Sequence, residues 1–290
     1  MSKMILAVSG GVDSMVLLDI MAKKYSSDDI IIAHFDHRIR DDSEKDVEFV
    51  ARVAKEIYHI RYFIGKGDLG AGASEETARK ARYEFLRKVA AEEGAAKIYT
   101  AHHLDDLAET VAINFIRGTG WRGLASLDAP DIRRPLLETD LVYEPMDKMA
   151  IIEYAAKRGL FFREDATNAS EKYLRNRVRE KFTEVGFGFE QKMEIWELWQ
   201  KQKKLRREID QIVRELLPAE DAEWQREWFR ELEPQVALEI LRAGTLRAGI
   251  SATRPQLEEF RQAILNYVPG KSFNLPKDRL VKLGKASFKL

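Results

Sequence analysis

The sequence predicts an α/β fold, a parallel sheet with helices on both faces, followed by a second, mostly helical domain. Three observations carry this. Strand-like and helix-like segments alternate through the first half of the chain, which is the grammar of parallel βαβ units. A glycine-rich turn follows the first apolar run directly. After about residue 185 the alternation stops and long, charged helical patterns take over. With 290 residues the chain has the length of two domains, expected at 1–187 and 188–290.

The elements follow in order. Residues 4–8 are a short apolar run, and Ser9-Gly10-Gly11-Val12-Asp13-Ser14 comes straight after it. Met15, Leu18, Met21 and Ala22 then recur at helical spacing. Residues 30–35 (IIIAHF) read as a second buried strand, 41–58 as a charged helix and 60–64 (IRYFI) as a third strand. Residues 75–91 form a helix with Ala78, Ala81, Phe85, Leu86 and Val89 on its apolar side. Residues 96–101 (AKIYTA) are a fourth strand, 106–116 a helix, and 117–123 a glycine-rich loop. Ligands of such sheets sit at the carboxyl ends of the strands. Beyond, 190–217 is one charged helical pattern. Residues 222–248 are helical again, with Trp224, Trp228, Leu232, Leu238 and Leu241, and 272–290 is strand-like with basic punctuation. Trp224 and Trp228, spaced i, i+4, read as core rather than as base-stacking platforms.

Composition narrows the chemistry. Hydrophobic residues make up 45% of the chain, enough for a core. There is no cysteine, which excludes disulfides, thiolate nucleophiles, thiolate-bound zinc, iron–sulfur clusters and persulfide sulfur transfer. No apolar run reaches the ~18 residues of a membrane span, and the first apolar run is too short for a signal peptide, so a cytoplasmic location is expected. Lys+Arg and Asp+Glu both number 48, but the charge is segregated. Segment 170–207 holds eleven basic residues against six acidic ones, and 208–240 holds three against ten. The neutral total conceals a basic stripe beside an acidic face.

The turn at 9–14 reads as an anion cradle. Two glycines let backbone approach a ligand, the next helix presents unpaired N–H groups and a positive dipole end, and Ser9 and Ser14 add hydroxyls. Its natural ligand is a pyrophosphate. No lysine stands where a Walker loop has one. The bland alternative is a plain strand–helix turn capped by Asp13 or Ser14. The motif resembles that of the N-type ATP pyrophosphatases, which split ATP between the α and β phosphates to adenylate a substrate. That group includes GMP and NAD synthetases, asparagine synthetase, tRNA thiolases and tRNA(Ile)-lysidine synthetases, and the resemblance implies a Rossmann-like, adenine nucleotide alpha hydrolase-like fold.

His102-His103-Leu104-Asp105-Asp106-Leu107-Ala108-Glu109-Thr110 follows the fourth strand. Asp106 and Glu109, three apart, share one helix face and could hold Mg²⁺ or grip an ammonium group. The bland reading makes Asp105 a helix cap and the histidines surface residues. Together with RGTGWRGLASL behind it, this block resembles the tRNA(Ile)-lysidine synthetase family. So do residues 33–40 (AHFDHRIR), 76–83 (ETARKARY), 134–137 (RPLL), 164–168 (EDATN) and 175–179 (RNRVR), which run in family order over roughly residues 4–182. One departure is Leu107, where the family usually shows Gln. The last 100 or so residues match only in general character, and at 290 residues the chain is expected to be too short for the further C-terminal domain that some members carry.

The resemblance implies that ATP adenylates the C2 oxygen of the wobble cytidine in the CAU anticodon of tRNA(Ile), and that free L-lysine then displaces AMP. It implies ATP and Mg²⁺ as cofactors, with Ser9, Gly10, Gly11, Val12, Asp13 and Ser14 around the pyrophosphate and Asp13 and Asp106 toward the metal. Asp36, Asp106, Glu109 and Arg117 are the expected catalytic residues, with lysine held by Asp106 and Glu109. Arg79 and Arg82 could neutralise phosphate or be solvated helix charges. Arg175, Arg177 and Arg179 could contact tRNA phosphates or sit near ATP. Lys201, Lys203, Lys204, Arg206 and Arg207 could track the tRNA backbone or be a solvated helix face, and Lys277, Arg279, Lys282 and Lys285 follow the same argument. The oligomeric state stays open, with a homodimer among the options. Two other readings compete. One is a small-molecule amidating pyrophosphatase of the NAD or GMP synthetase type. The other is a catalytically inactive tRNA-binding module, against which the intact loop and carboxylates speak.

Overall fold

In the computed structural model, residues 3–38, 43–67, 75–163 and 172–290 are described. The chain divides into two compact units, residues 1–201 and 202–290.

The first unit holds a five-stranded parallel sheet in the order β3-β2-β1-β4-β5. Its strands are β1 (Met4–Ala7), β2 (Ile30–Asp36), β3 (Arg61–Lys66), β4 (Lys97–Tyr99) and β5 (Ile132–Arg133). The helices are α1 (Val12–Lys24), α2 (Ser43–Arg52), which runs into a π-helical turn (Val53–Ile57), and α3 (Glu75–Glu93). They continue with α4 (Leu104–Ile116), the single turn α5 (Trp121–Leu124), α6 (Lys148–Arg158), α7 (Lys172–Glu184) and α8 (Phe189–Leu216). Successive strand residues point to opposite faces, and both faces are covered. Met4, Leu6, Ile30 and Ile32 pack against Leu17, Leu18 and Met21 of α1 and Phe49, Val50 and Val53. Ile5, Ile31, Ala33 and Ile98 face the other way, onto Tyr83, Leu86, Val89 and Ala90 of α3. A sheet buried on both sides explains why its inner strands read as continuous apolar runs rather than alternating ones.

The division between the units falls inside α8, whereas the sequence suggested 187/188. Trp196 and Trp199 account for the difference. Trp199 is 2% exposed and packs with Leu104, Leu107, Val111 and Leu137. The two indole N–H groups donate to carbonyls of the α/β unit, Trp196 to Leu137 (2.9 Å) and Trp199 to Ser126 (2.5 Å).

The second unit is built from the rest of α8, the short strand β6 (Trp224–Gln225), α9 (Arg226–Glu231), α10 (Pro234–Arg247) and α11 (Arg254–Asn266). A hairpin, β7 (Ser272–Leu275) with β8 (Arg279–Lys282), and β9 (Ser287–Phe288), which pairs antiparallel with β6, complete it. Trp224 therefore stands in a strand rather than in the helix that the sequence suggested. It is 1% exposed and stacks with Phe229, while Phe288 lies tilted against both rings. Arg226 is buried and its guanidinium donates to the carbonyls of Ile264, Gly284 and Tyr267. Among the described residues, no helix is long and apolar enough to cross a membrane.

Candidate active site

Strand order places the site. β1 is central, with β2 and β3 to one side and β4 and β5 to the other. The chain changes sides between β3 and β4, so the loops leaving β1 and β4 open into one crevice beyond the strand ends. Leu6 of β1 lies opposite Tyr99 of β4. The two motifs that stood out in sequence, SGGVDS and HHLDDLAET, are therefore neighbours because of topology.

The first loop is closed on itself by Ser14. Its Oγ accepts from the N–H groups of Ser9 (3.2 Å) and Gly10 (3.1 Å) and donates to the carbonyl of Gly11 (2.9 Å). Gly11 N–H donates to Ser9 Oγ (3.3 Å). Gly10 has φ +93°, in the left-handed range, and a Cβ there would lie 3.3 Å from Phe49 Cδ1. Gly11 is the N-cap of α1, so the loop delivers backbone N–H groups and the helix's positive end to one place.

At the start of α4, carboxylates and cations interleave. Asp105 is a structural tie. It accepts the backbone N–H of Lys148 (2.8 Å), pairs with Lys192 Nζ (2.7 Å) and lies 3.3 Å from His103 Nδ1. Burial opposes its charge, yet these partners hold its pKa far below the usual carboxylate range. Lys192 also bridges to Asp147 (3.0 Å), whose other oxygen caps α6 by accepting from Ala150 N–H (3.0 Å). Asp106 accepts the N–H of His103 (3.1 Å), and its Oδ2 is 3.5 Å from His103 Nε2. The same Nε2 is 3.9 Å from Asp13 Oδ1, and Asp13 Oδ1 is 2.6 Å from Lys148 Nζ. His103 is thus surrounded by Asp13, Asp105 and Asp106. Burial works against its cation, but Asp106 and the other two outweigh burial and raise its pKa. His102 beside it goes the opposite way, lowered by burial and by Arg134, Arg79 and Arg82 against the pull of Asp106. Two adjacent imidazoles are pushed apart, one toward the charged form and one toward the neutral.

Glu109, 2% exposed, is gripped by Arg179: Nε to Oε1 is 2.5 Å and Nη2 to Oε2 is 3.1 Å. Burial raises the Glu109 pKa more than Arg179 lowers it. Asp36, at the end of β2, is 3% exposed. Its Oδ1 accepts the N–H of Arg38 (2.9 Å), and its Oδ2 is buried with no partner among the described residues. Arg79 and Arg82 both stack on Tyr83, at 4.9 Å and 5.6 Å from the ring centre. Arg134, directly after β5, is 4% exposed, and its Nε also lacks a partner among the described residues. A buried guanidinium nitrogen with nothing to donate to suits an anionic ligand.

The structure brings together residues 9–14, Asp106 and Glu109, with Arg179 added. Arg117 is elsewhere. It is exposed at the C-terminal end of α4, eleven residues and about 16 Å along the helix from Asp106. The 175–179 block is helical, so Arg175 and Arg179 share a face while Arg177 is exposed on another. Lys201, Lys204 and Arg207 are exposed on α8, while Lys203 and Arg206 are half-buried there and Arg206 lies 3.6 Å from Asp210. Leu107, the departure from the family pattern, is fully buried in the apolar cluster with Trp199. Residues 39–40 and 164–168 of the motif series lie outside the described residues. Mg²⁺ is typically held by one or two carboxylates, substrate phosphate and water. Asp13 and Asp106, oxygen donors beside the phosphate loop, fit that pattern. Among the described residues, no three His, Asp or Glu form an all-protein metal cage.

A sheet switched at β1, a glycine loop feeding a helix N-terminus and no loop lysine define a PP-loop domain. The chain belongs to that ATP-binding family, whose profile matches residues 1–185. Among curated proteins it is similar to the tRNA(Ile)-lysidine synthase of Thermosipho africanus, 34% identical over 265 residues, covering 84% of this chain and 58% of that one. It is also similar to the tRNA(Ile)-lysidine synthase of Thermotoga sp. strain RQ2, 40% identical over 184 residues, covering 60% of this chain and 43% of that one. The chain spans about half the length of these relatives. A solved U34-tRNA thiolase from Methanococcus maripaludis shares the fold, with a TM-score of 0.55 at 19% identity over 70% of this chain and 72% of that chain. That thiolase carries an iron–sulfur cluster, chemistry for which this cysteine-free sequence has no ligands.

Proposed function

We propose that this protein is a tRNA(Ile)-lysidine synthetase, a ligase that uses ATP to join free L-lysine to C2 of the wobble cytidine of the CAU anticodon. The observation that carries the reading is the acidic start of α4 facing the phosphate loop, with Asp13 and Asp106 both within reach of the His103 ring. A cytosine carbonyl is a poor electrophile, and adenylation makes its oxygen a leaving group. The wobble base must leave the anticodon stack to reach the crevice, which a single-stranded loop permits.

The first N–H groups of α1, at Val12, Asp13 and Ser14, would stabilise charge growing on the departing pyrophosphate, while those of Ser9, Gly10 and Gly11 hold the loop's own shape. Asp13 and Asp106 would hold Mg²⁺, which supplies charge neutralisation at the phosphates. Asp36, with one free buried oxygen, suits a hydroxyl or amine donor of the nucleotide or lysine. A free amino acid carries ammonium and carboxylate groups, and the α4–α7 face offers partners for both. Asp106 would receive an ammonium, with Glu109 steering Arg179 toward the carboxylate. A carboxylate near the ε-amine accepts its proton during attack. Arg177 and the exposed basic residues of α8 would contact tRNA phosphates, a role shared by the second unit. The cytoplasm, where tRNA, ATP and lysine coexist, is the compartment this chemistry needs.

The test is incubation with ATP, radiolabelled lysine and isoleucine tRNA bearing CAU. ATP-dependent label in acid-insoluble RNA is expected, and Asp106→Ala should abolish it without loss of fold. Amidation of a free nucleotide with no label in RNA would move the assignment to a small-molecule pyrophosphatase.

A further inference from the structure

The phosphate loop contains no cation of its own, and its only charged side chain, Asp13, is negative. A carboxylate at a helix N-terminus opposes the binding of a polyphosphate at that same end. The structure answers this from a distant part of the chain. Lys148, the first residue of α6, places its Nζ 2.6 Å from Asp13 Oδ1, across 135 positions of sequence. Its backbone is fixed as well. The Lys148 N–H donates to Asp105 (2.8 Å), and the preceding residue, Asp147, is held by Lys192 (3.0 Å). The side chains of Lys148 and Asp13 are 42% and 33% exposed, so a ligand in the crevice can reach the ammonium. The carbonyl of Gly10 accepts from Arg163 N–H (2.9 Å) after α6, so the loop is braced on both sides by the same stretch of chain.

We propose that Lys148 is the cation of this phosphate loop. Its ammonium pairs with Asp13 in the structure; with a polyphosphate in the crevice it contacts the terminal phosphate oxygens and Asp13 is released. The lysine that other phosphate loops carry within their own sequence is supplied here by the N-terminus of α6. Lys148 is a phosphate-binding residue on this account, and the inference rests on residues 9–14 being the pyrophosphate site.

Binding of inorganic pyrophosphate to the full chain, measured by calorimetry without metal, tests this separately from turnover. Lys148→Met should weaken binding at least tenfold, and Lys148→Arg should restore it to within about threefold. Asp13→Asn removes the competing carboxylate and should bind pyrophosphate at least as tightly as the wild type. The decisive comparison is Asp13→Asn against Asp13→Asn with Lys148→Met. A tenfold loss in the double variant supports direct phosphate contact, because the carboxylate that Lys148 pairs with is absent from both proteins compared. Equal affinity overturns the proposal and leaves Lys148 as a structural partner of Asp13. Failure of the wild type to bind either pyrophosphate or ATP overturns the phosphate-loop reading itself, and the role of Lys148 with it. Thermal melts of each variant show that the fold persists.

Discussion

Arg179→Met tests whether Glu109 is kept as a carboxylate by a single guanidinium. The Glu109 side chain is 3% exposed and that of Arg179 is 46% exposed. Removing one partner of a fully buried pair costs about 3–5 kcal/mol, because a charge is left without compensation. Here about half of the guanidinium is in water, so about 2 kcal/mol is expected at neutral to mildly alkaline pH. Glu109 has an escape, since it can take up a proton. Burial already raises its pKa above 4.5, with Arg179 as the main counterweight. Without Arg179 the pKa rises further. The folded state then binds more protons than the unfolded state, so stability falls as pH climbs from about 4.5 through the folded pKa. The deficit of the variant relative to the wild type should therefore be largest at about pH 8 and shrink toward about pH 5. Adding Glu109→Gln removes the buried charge and should recover most of the loss. Urea unfolding across this pH range, followed by far-ultraviolet circular dichroism, gives each quantity. A deficit that does not change with pH, or a double variant as unstable as Arg179→Met alone, would refute the argument.

Two further outcomes follow from packing. Gly10→Ala forces φ +93° on a residue with a Cβ and sets that Cβ 3.3 Å from Phe49, so it should cost roughly 1–3 kcal/mol and lower the melting temperature; an unchanged melting temperature would show that the loop relaxes freely. Trp199→Ala empties a site that is 2% exposed and orphans the Ser126 carbonyl, so the α/β unit should lose about 3–5 kcal/mol in urea unfolding, and a loss below 1 kcal/mol or so would mean that the first half of α8 is not part of its core.

What the sequence disclosed, and what it did not, follows from the range of the interactions. β1, the loop and α1 are legible because each is specified by its own residues: an apolar run, two glycines and a helical period. Asp106 and Glu109 are legible because spacing of three places them on one helix face. The two-residue strands β5 and β6 have no periodicity to read, so the sequence pattern alone places Trp224 in a helix. Lys148 and Lys192 carry no local signal, and Arg134 is visible only as the first residue of the RPLL block, with no role attached to it. Lys148 reaches Asp13 from the N-terminus of α6, which Asp147 caps, and Asp147 is in turn held by Lys192 from α8. Arg134 becomes a buried donor only when β5 joins the sheet beside β4. Arg179 looked like one of three equivalent arginines until the helical period of α7 separated it and Arg175 from Arg177. The carboxylates of this crevice are thus written in local motifs, while the cations that balance them arrive through tertiary structure. A motif-based reading of the site therefore finds its negative charge and misses most of its positive charge. Lys148, Lys192, Arg134 and Arg179 match Asp13, Asp105, Asp106 and Glu109 one for one, so the strongly acidic site that the local motifs suggest has most of its charge offset in the folded chain.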